Sequence, residues 1–266
     1  MLETVQKAQR GDAKALEAIA RSIQNQVHRL ALRMLADVSQ AEDATQDILV
    51  RVITKLSTFK GESKFETWVY RVAMNHLLTA KKIRDTDPGL NFSAFEDDLL
   101  NGLSDTAPDA IDAIAVNELR LKCTMAMLLC LDANHRAAYV LGEILEMEHA
   151  AAAEVLEVAP ATYRQRLSRA RQKVQEFTAR ACGLASKTAN CHCSRRLEAA
   201  TEQGRIGQNE ATLALAPSFS EAEAIAARTN AALISKKLQQ ATGPLQTGRD
   251  IASDVLRIVN PPGRAG

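Results

Sequence analysis

The 266-residue chain is 46% hydrophobic and 24% charged but only 4% aromatic, which suits one large or two to three small globular domains and excludes a disordered chain. Ala and Leu are plentiful, and that favours helices, because strands draw on β-branched and aromatic residues. The formal net charge of +1 by itself says nothing about nucleic acid. No apolar run reaches bilayer length and the start lacks a signal-peptide core, so a cytoplasmic protein without membrane insertion is expected.

Asp12 follows Gly11 as an N-cap. Leu16, Ile19, Ile23, Val27, Leu30 and Met34 then recur at three- and four-residue spacing, the stripe of an amphipathic helix. Ser39 with Glu42 forms a capping-box pattern that predicts a second helix to about Leu56, with Ala44, Ile48, Val52 and Leu56 inward. Ser63 with Glu66 repeats the pattern before Phe65, Trp68, Val69, Val72 and Leu77. These three helices make a module of residues 1–84. Residues 85–110 carry Pro88, Gly89, Gly102 and Pro108 and read as a linker. It is acidic, since no Lys or Arg occurs from Asp85 to Leu119.

A second module, 111–181, is expected to hold a helix through Leu131, one from Asp132 to about Glu146, an Ala-rich one near Ala150–Leu156, and one opening at Pro160, whose missing N–H is harmless there. The extension 182–266 has a Ser220/Glu223 capping-box pattern, a stop at Gly243-Pro244, and a last helix from about Arg249 to Pro261-Pro262. The expected class is all-α: two small helical modules, an acidic linker and a helical tail.

Asp43, Gln46 and Asp47 share one face of the second helix, suited to a basic partner or simply to water. The third helix adds Lys64, Tyr70, Arg71, Asn75, His76, Lys81, Lys82 and Arg84. Cations hold phosphates and amides read exposed base edges, so this mixture suits single-stranded nucleic acid. The Phe65/Trp68 stripe reads as core. Residues 151–171 form a short helix, a three-residue turn and a basic helix with Arg164, Arg166, Arg169, Arg171 and Lys173. A helix-turn-helix and a solvated basic helix are both open on this segment alone.

No hydrolytic triad or phosphate-cradling glycine loop is present, so neither catalysis nor a cofactor is expected. The five cysteines are expected to be reduced. Cys191-His192-Cys193 places one residue between its cysteines, whereas structural zinc pairs usually have two to four. Inert surface cysteines and no metal are therefore expected. Cys182, Cys191, His192 and Cys193 are the weak metal candidates, and a redox-responsive thiol pair is the other alternative.

Ala41-Glu42-Asp43-Ala44-x-Gln46-Asp47, Phe59-Lys60-Gly61, Phe65-x-Thr67-Trp68 and Arg71-Val72-Ala73-x-Asn75 resemble region two of the bacterial sigma factors of the extracytoplasmic-function group. The resemblance implies that Asp43, Gln46 and Asp47 dock on the clamp of core RNA polymerase. It also implies that Lys60, Lys64, Arg71, Asn75, Lys81, Lys82 and Arg84 melt and hold the minus-ten promoter element, with Asn75 in a pocket for a flipped-out base. The Thr162-x-Arg164-x-Arg166-Leu167-x-Arg169-Ala170-Arg171 segment resembles region four, which implies that Thr162, Arg164, Gln165, Arg166, Ser168, Arg169 and Arg171 face the minus-thirty-five element. Glu157 stands where that family usually has a turn glycine, and a left-handed residue other than glycine costs roughly 1 kcal/mol. The implied partners are core RNA polymerase and promoter DNA, with an anti-sigma factor as a further candidate. A DNA-binding regulator acting without polymerase, and a protein that binds a sigma antagonist, are the alternatives.

Overall fold

A computed structural model describes residues 1–79, 90–107, 112–207, 218–229, 231–241 and 247–259. Among the described residues the protein is all-α, and the one extended pairing is an isolated bridge between Cys182 and Cys191. The chain divides into two compact units: 1–86 with 148–163 and 246–266, and 87–147 with 164–245. These units cut across the consecutive segments expected from sequence, because the end of the chain returns to its beginning.

In the first unit, α1 (Leu2–Gln9) precedes α2 (Ala13–Leu35), α3 (Val38–Thr54) and α4 (Phe65–Thr79). The Asp12 carboxylate accepts from the Ala15 amide at 3.0 Å, so the expected cap is present. The expected stripe is core: Ile19, Ile23, Val27, Leu30 and Met34 are buried, with Leu16 at the margin. α3 opens differently from expectation. Ala36 takes a left-handed conformation (φ 54) that ends α2 and leaves Asp37 extended, so Asp37 is the cap and accepts from Gln40 at 2.8 Å. Ser39 lies inside the helix, and only an extended residue can occupy the cap position. α1 was not foreseen. It buries Val5 and Ala8, and Gln9 donates to the Leu56 and Phe59 carbonyls at 3.0 and 2.9 Å, closing the turn before α4.

α8 (His149–Val155) and the start of α9 (Pro160–Ala181) also belong to this unit, as does the last helix, α13 (Ile251–Val259). α13 packs on α2 and α3 through fully buried Ile251, Ala252 and Val255. Polar contacts fix its register. Arg21 forks onto the Asp250 carboxylate at 3.1 Å, the Ala252 amide donates to Gln24 at 2.7 Å, and Glu42 accepts from Thr247 at 2.9 Å and faces Arg249 at 3.5 Å.

The second unit contains α5 (Phe92–Leu100), α6 (Ala113–Leu129), α7 (Ala133–Tyr139) running into a π-helical stretch Val140–Ile144, most of α9, and α10 (Cys193–Glu202), α11 (Phe219–Arg228) and α12 (Ala231–Gln240). α5 corrects the linker reading. Asn91 caps it, Phe95 and Leu99 are buried, and the Phe92 and Phe95 rings lie 5.1 and 5.4 Å from that of Phe177 on α9. The acidic composition masked three apolar positions at helical spacing. Two of its acids are neutralised internally, Glu96 by Arg180 and Asp98 by Arg205, each at 2.6 Å. The capping box of α11 is Ser218 with Glu221, two residues before the expected Ser220/Glu223. Residues 243–244 and 261–262, expected as stops, lie outside the described residues.

Candidate nucleic-acid interface

α3 and α4 enclose between them a concavity of about 330 Å³ lined by Arg51 on α3, Lys55 at its C-cap, Thr58, and Trp68, Arg71, Val72, Asn75, His76 and Thr79 on α4. The spacing of the lining residues on α4 is helical, so they share one face. Trp68 is 9% exposed and packs its ring against those of Phe59 and Phe65 at 5.6 and 5.9 Å. It is core, as expected, and its edge also walls the pocket. Asn75 is exposed at the rim. Arg71 is half-buried and ion-paired with Glu154 of α8. Lys60 and Lys64 are exposed on the turn before α4, where Gly61 adopts φ +78. Lys81, Lys82 and Arg84 lie outside the described residues.

Sequence reasoning missed Arg51 and Lys55. They stand four apart at the end of α3, and nothing in α3 alone says that this end closes on Asn75. Burial and nearby Arg51 lower the pKa of His76 below its usual 6.5, while Asp47, whose carboxylate is 3.7 Å away, opposes the shift. The pocket therefore holds a neutral imidazole among fixed cations at neutral pH.

Around α3 from this pocket, Asp43 and Asp47 are exposed and Gln46 is half-buried. The three do share a face. Glu42, one position away, is engaged by Thr247 and Arg249 of the C-terminal segment.

α8, a tight turn and α9 form the helix-turn-helix element. Glu157 carries the turn at φ +53, the left-handed position anticipated for it. Leu156 and Val158 donate back to the Ala152 and Ala153 carbonyls, which pays the helix end its missing hydrogen bonds. Along α9, Tyr163, Leu167, Ala170, Val174 and Phe177 are buried. Arg164, Gln165, Ser168 and Arg169 are exposed together on the opposite face, and Thr162 and Arg166 are half-buried at its margin. Arg171 differs from its neighbours. Its guanidinium donates to the buried Glu143 carboxylate at 2.6 and 3.1 Å.

The cysteines are not the surface thiols expected. Cys182, Cys191 and Cys193 are half-buried, and burial pushes each thiol pKa upward, that of Cys191 to about 11. Among the described residues no group of three or more His, Cys, Asp and Glu stands ready to hold a metal ion. No described helix is long and apolar enough to cross a membrane.

Known proteins share both elements. Residues 19–87 match the Sigma-70 region 2 family and residues 121–174 the Sigma-70, region 4 family. The "ECF RNA polymerase sigma factor SigW" of Bacillus subtilis is 29% identical over 177 residues, 65% of this chain and 93% of that protein. The "Probable RNA polymerase sigma-C factor" of Mycobacterium bovis is 30% identical over 166 residues, 62% of this chain and 83% of the relative. Among solved structures, "CnrH in complex with the cytosolic domain of CnrY" covers 65% of this chain and 94% of its own at 20% identity and a TM-score of 0.47. With both regions in order and whole sigma factors matched along nearly their full length, this chain belongs to the RNA polymerase sigma factors, in the extracytoplasmic-function group, and serves transcription initiation.

Proposed function

We propose that this sigma factor divides its work among the three surfaces described above. Exposed Asp43 and Asp47 of α3, with half-buried Gln46 between them, dock on core polymerase. The α3–α4 pocket receives a base flipped from the minus-ten element, with Lys60 and Lys64 on the strand's phosphates and Asn75 on the base edge. Lys81, Lys82 and Arg84, which follow α4 in the sequence, also bind the minus-ten element in this reading. The exposed face of α9, Arg164, Gln165, Ser168 and Arg169, enters the major groove of the minus-thirty-five element, with Thr162 and Arg166 beside it. The single observation that carries this reading is the pocket, since flipping a base costs a few kcal/mol and a concave, cation-lined receptacle offsets that cost.

Arg71 reaches DNA only once Glu154 releases it. Arg171, as folded, is a structural residue, and its DNA role requires it to leave Glu143. The protein acts by binding, without catalysis of its own, in the cytoplasm where the polymerase works. An anti-sigma factor is a further partner in this reading.

The extension 182–266 is regulatory in this reading, because α13 occupies the α2–α3 surface and its lead-in holds Glu42, adjacent to the polymerase-docking acids. Asp43→Arg with Asp47→Arg is expected to abolish capture of core polymerase while leaving the helical circular-dichroism spectrum unchanged. Undiminished capture would remove the docking assignment.

A further inference from the structure

Four of the five cysteines come from three stretches of the second unit. Cys123 lies on α6, Cys182 directly follows α9, and Cys191 and Cys193 lead into α10. The fold brings them together. Cys182 and Cys191 pair in a parallel bridge in which the Gly183 amide donates to the Cys191 carbonyl at 2.9 Å. Cys123, Cys182 and Cys193 line one small cavity of about 30 Å³, room for one ion or water. Each of Cys182, Cys191 and Cys193 is within electrostatic reach of Cys123 and of the others. Cys130, the fifth, is also within electrostatic reach of Cys123, but its sulfur donates to the Ala126 carbonyl at 3.6 Å and it does not line the cavity.

We propose that Cys123, Cys182, Cys191 and Cys193 are the ligands of a tetrathiolate zinc site that fastens the C-terminal extension to α6. One further feature favours thiolates over thiols. Three arginines surround the cluster. Arg120, 1% exposed, is within electrostatic reach of Cys123 and Cys193, and Arg195 and Arg196 are within reach of Cys191.

Binding replaces four S–H bonds with four S–Zn bonds and releases four protons. The resulting centre carries two net negative charges, which the arginines offset. Buried thiols resist ionisation in the absence of a cation, and a coordinated thiol is deprotonated outright. Four sulfur donors select a soft, tetrahedral ion, and zinc needs no redox partner. Among the described residues no three ligands converge as folded, so the proposed site requires the cysteines to change side-chain rotamer when the ion binds. Gly183 is required at the bridge, because a Cβ there would lie 2.5 Å from the His192 ring and 2.7 Å from the Cys191 carbonyl.

The test uses the full-length protein purified without chelator. Elemental analysis is expected to find about one zinc per chain, and exchange to cobalt(II) to give the sulfur-to-cobalt charge-transfer and intense visible bands of a four-coordinate thiolate site. Cys123→Ser, Cys182→Ser, Cys191→Ser and Cys193→Ser should each lose the metal, while Cys130→Ser keeps it. Gly183→Ala should weaken retention against a competing chelator. Wild type without zinc and without a cobalt spectrum overturns the proposal. So does metal retained undiminished in Cys123→Ser, or non-reducing mass spectrometry that finds these cysteines as disulfides. If a serine variant fails to fold, the stoichiometry and cobalt spectrum of the wild type still decide.

Discussion

α4 and α9 both carry arginines and amides aimed at DNA in our reading, yet they present them in opposite shapes. α9 is convex. One helix buries Tyr163, Leu167, Ala170 and Val174 and turns Arg164, Gln165, Ser168 and Arg169 outward, so its reading face follows from its own periodicity. α4 is one wall of a concavity whose other wall, Arg51 and Lys55, comes from α3. A groove reader can be built from one helix. A receptacle for a single base needs two, because it must surround its ligand. The same contrast separates Arg171 from Arg169 within α9. The two are only two positions apart, but that rotation turns Arg171 onto Glu143.

The largest effect expected to sharpen this contrast is on α9. Arg164→Ala or Arg169→Ala should cost about 1–3 kcal/mol at one base position of the upstream element, or weaken all sites alike if the arginine meets phosphate. Binding to a panel of single-base promoter variants reads which. No change in either variant would mean that the exposed face is merely solvated. Next comes the pocket. Asn75→Ala should lower the open-complex population about tenfold, roughly 1.4 kcal/mol, with polymerase association and upstream binding intact. Permanganate footprints of normal intensity would reduce Asn75 to an ordinary rim residue.

A smaller effect marks the residue that the helix turns away from DNA. Arg171→Ala should lower the unfolding free energy by about 1 kcal/mol, discounted for a guanidinium 43% exposed. Base preference should stay the same. A change in preference without a change in melting would return Arg171 to the reading face.

The smallest concerns pH. The pKa of His76 is lowered on folding, so below about pH 6.5 the unfolded chain binds a proton that the folded pocket refuses. Stability is then complete above the usual histidine pKa and falls as pH drops through it, by less than the one-proton limit of about 1.4 kcal/mol per unit. His76→Gln should flatten that slope in denaturation curves between pH 7.5 and 5.5. An unchanged slope would place the acid sensitivity elsewhere.

Much of this protein was legible in one dimension. Periodicity located α2, α3 and α4, because an amphipathic helix repeats its burial every turn, while α9 was marked by its opening proline and a basic face that needed no partner to be recognised. The left-handed Glu157 was also anticipated, because the family resemblance puts a turn glycine at that position. Tertiary structure decided the rest, wherever a residue's role depends on something distant in the chain. The acidic stretch contains a packed helix because Phe177 lies over it, and the last helix is a component of the first unit because α2 and α3 leave a surface for it. Arg51 belongs with Asn75, and Cys123 with Cys182, Cys191 and Cys193, only after folding. Local patterns record which way a side chain faces, and contacts between remote segments leave no period to read.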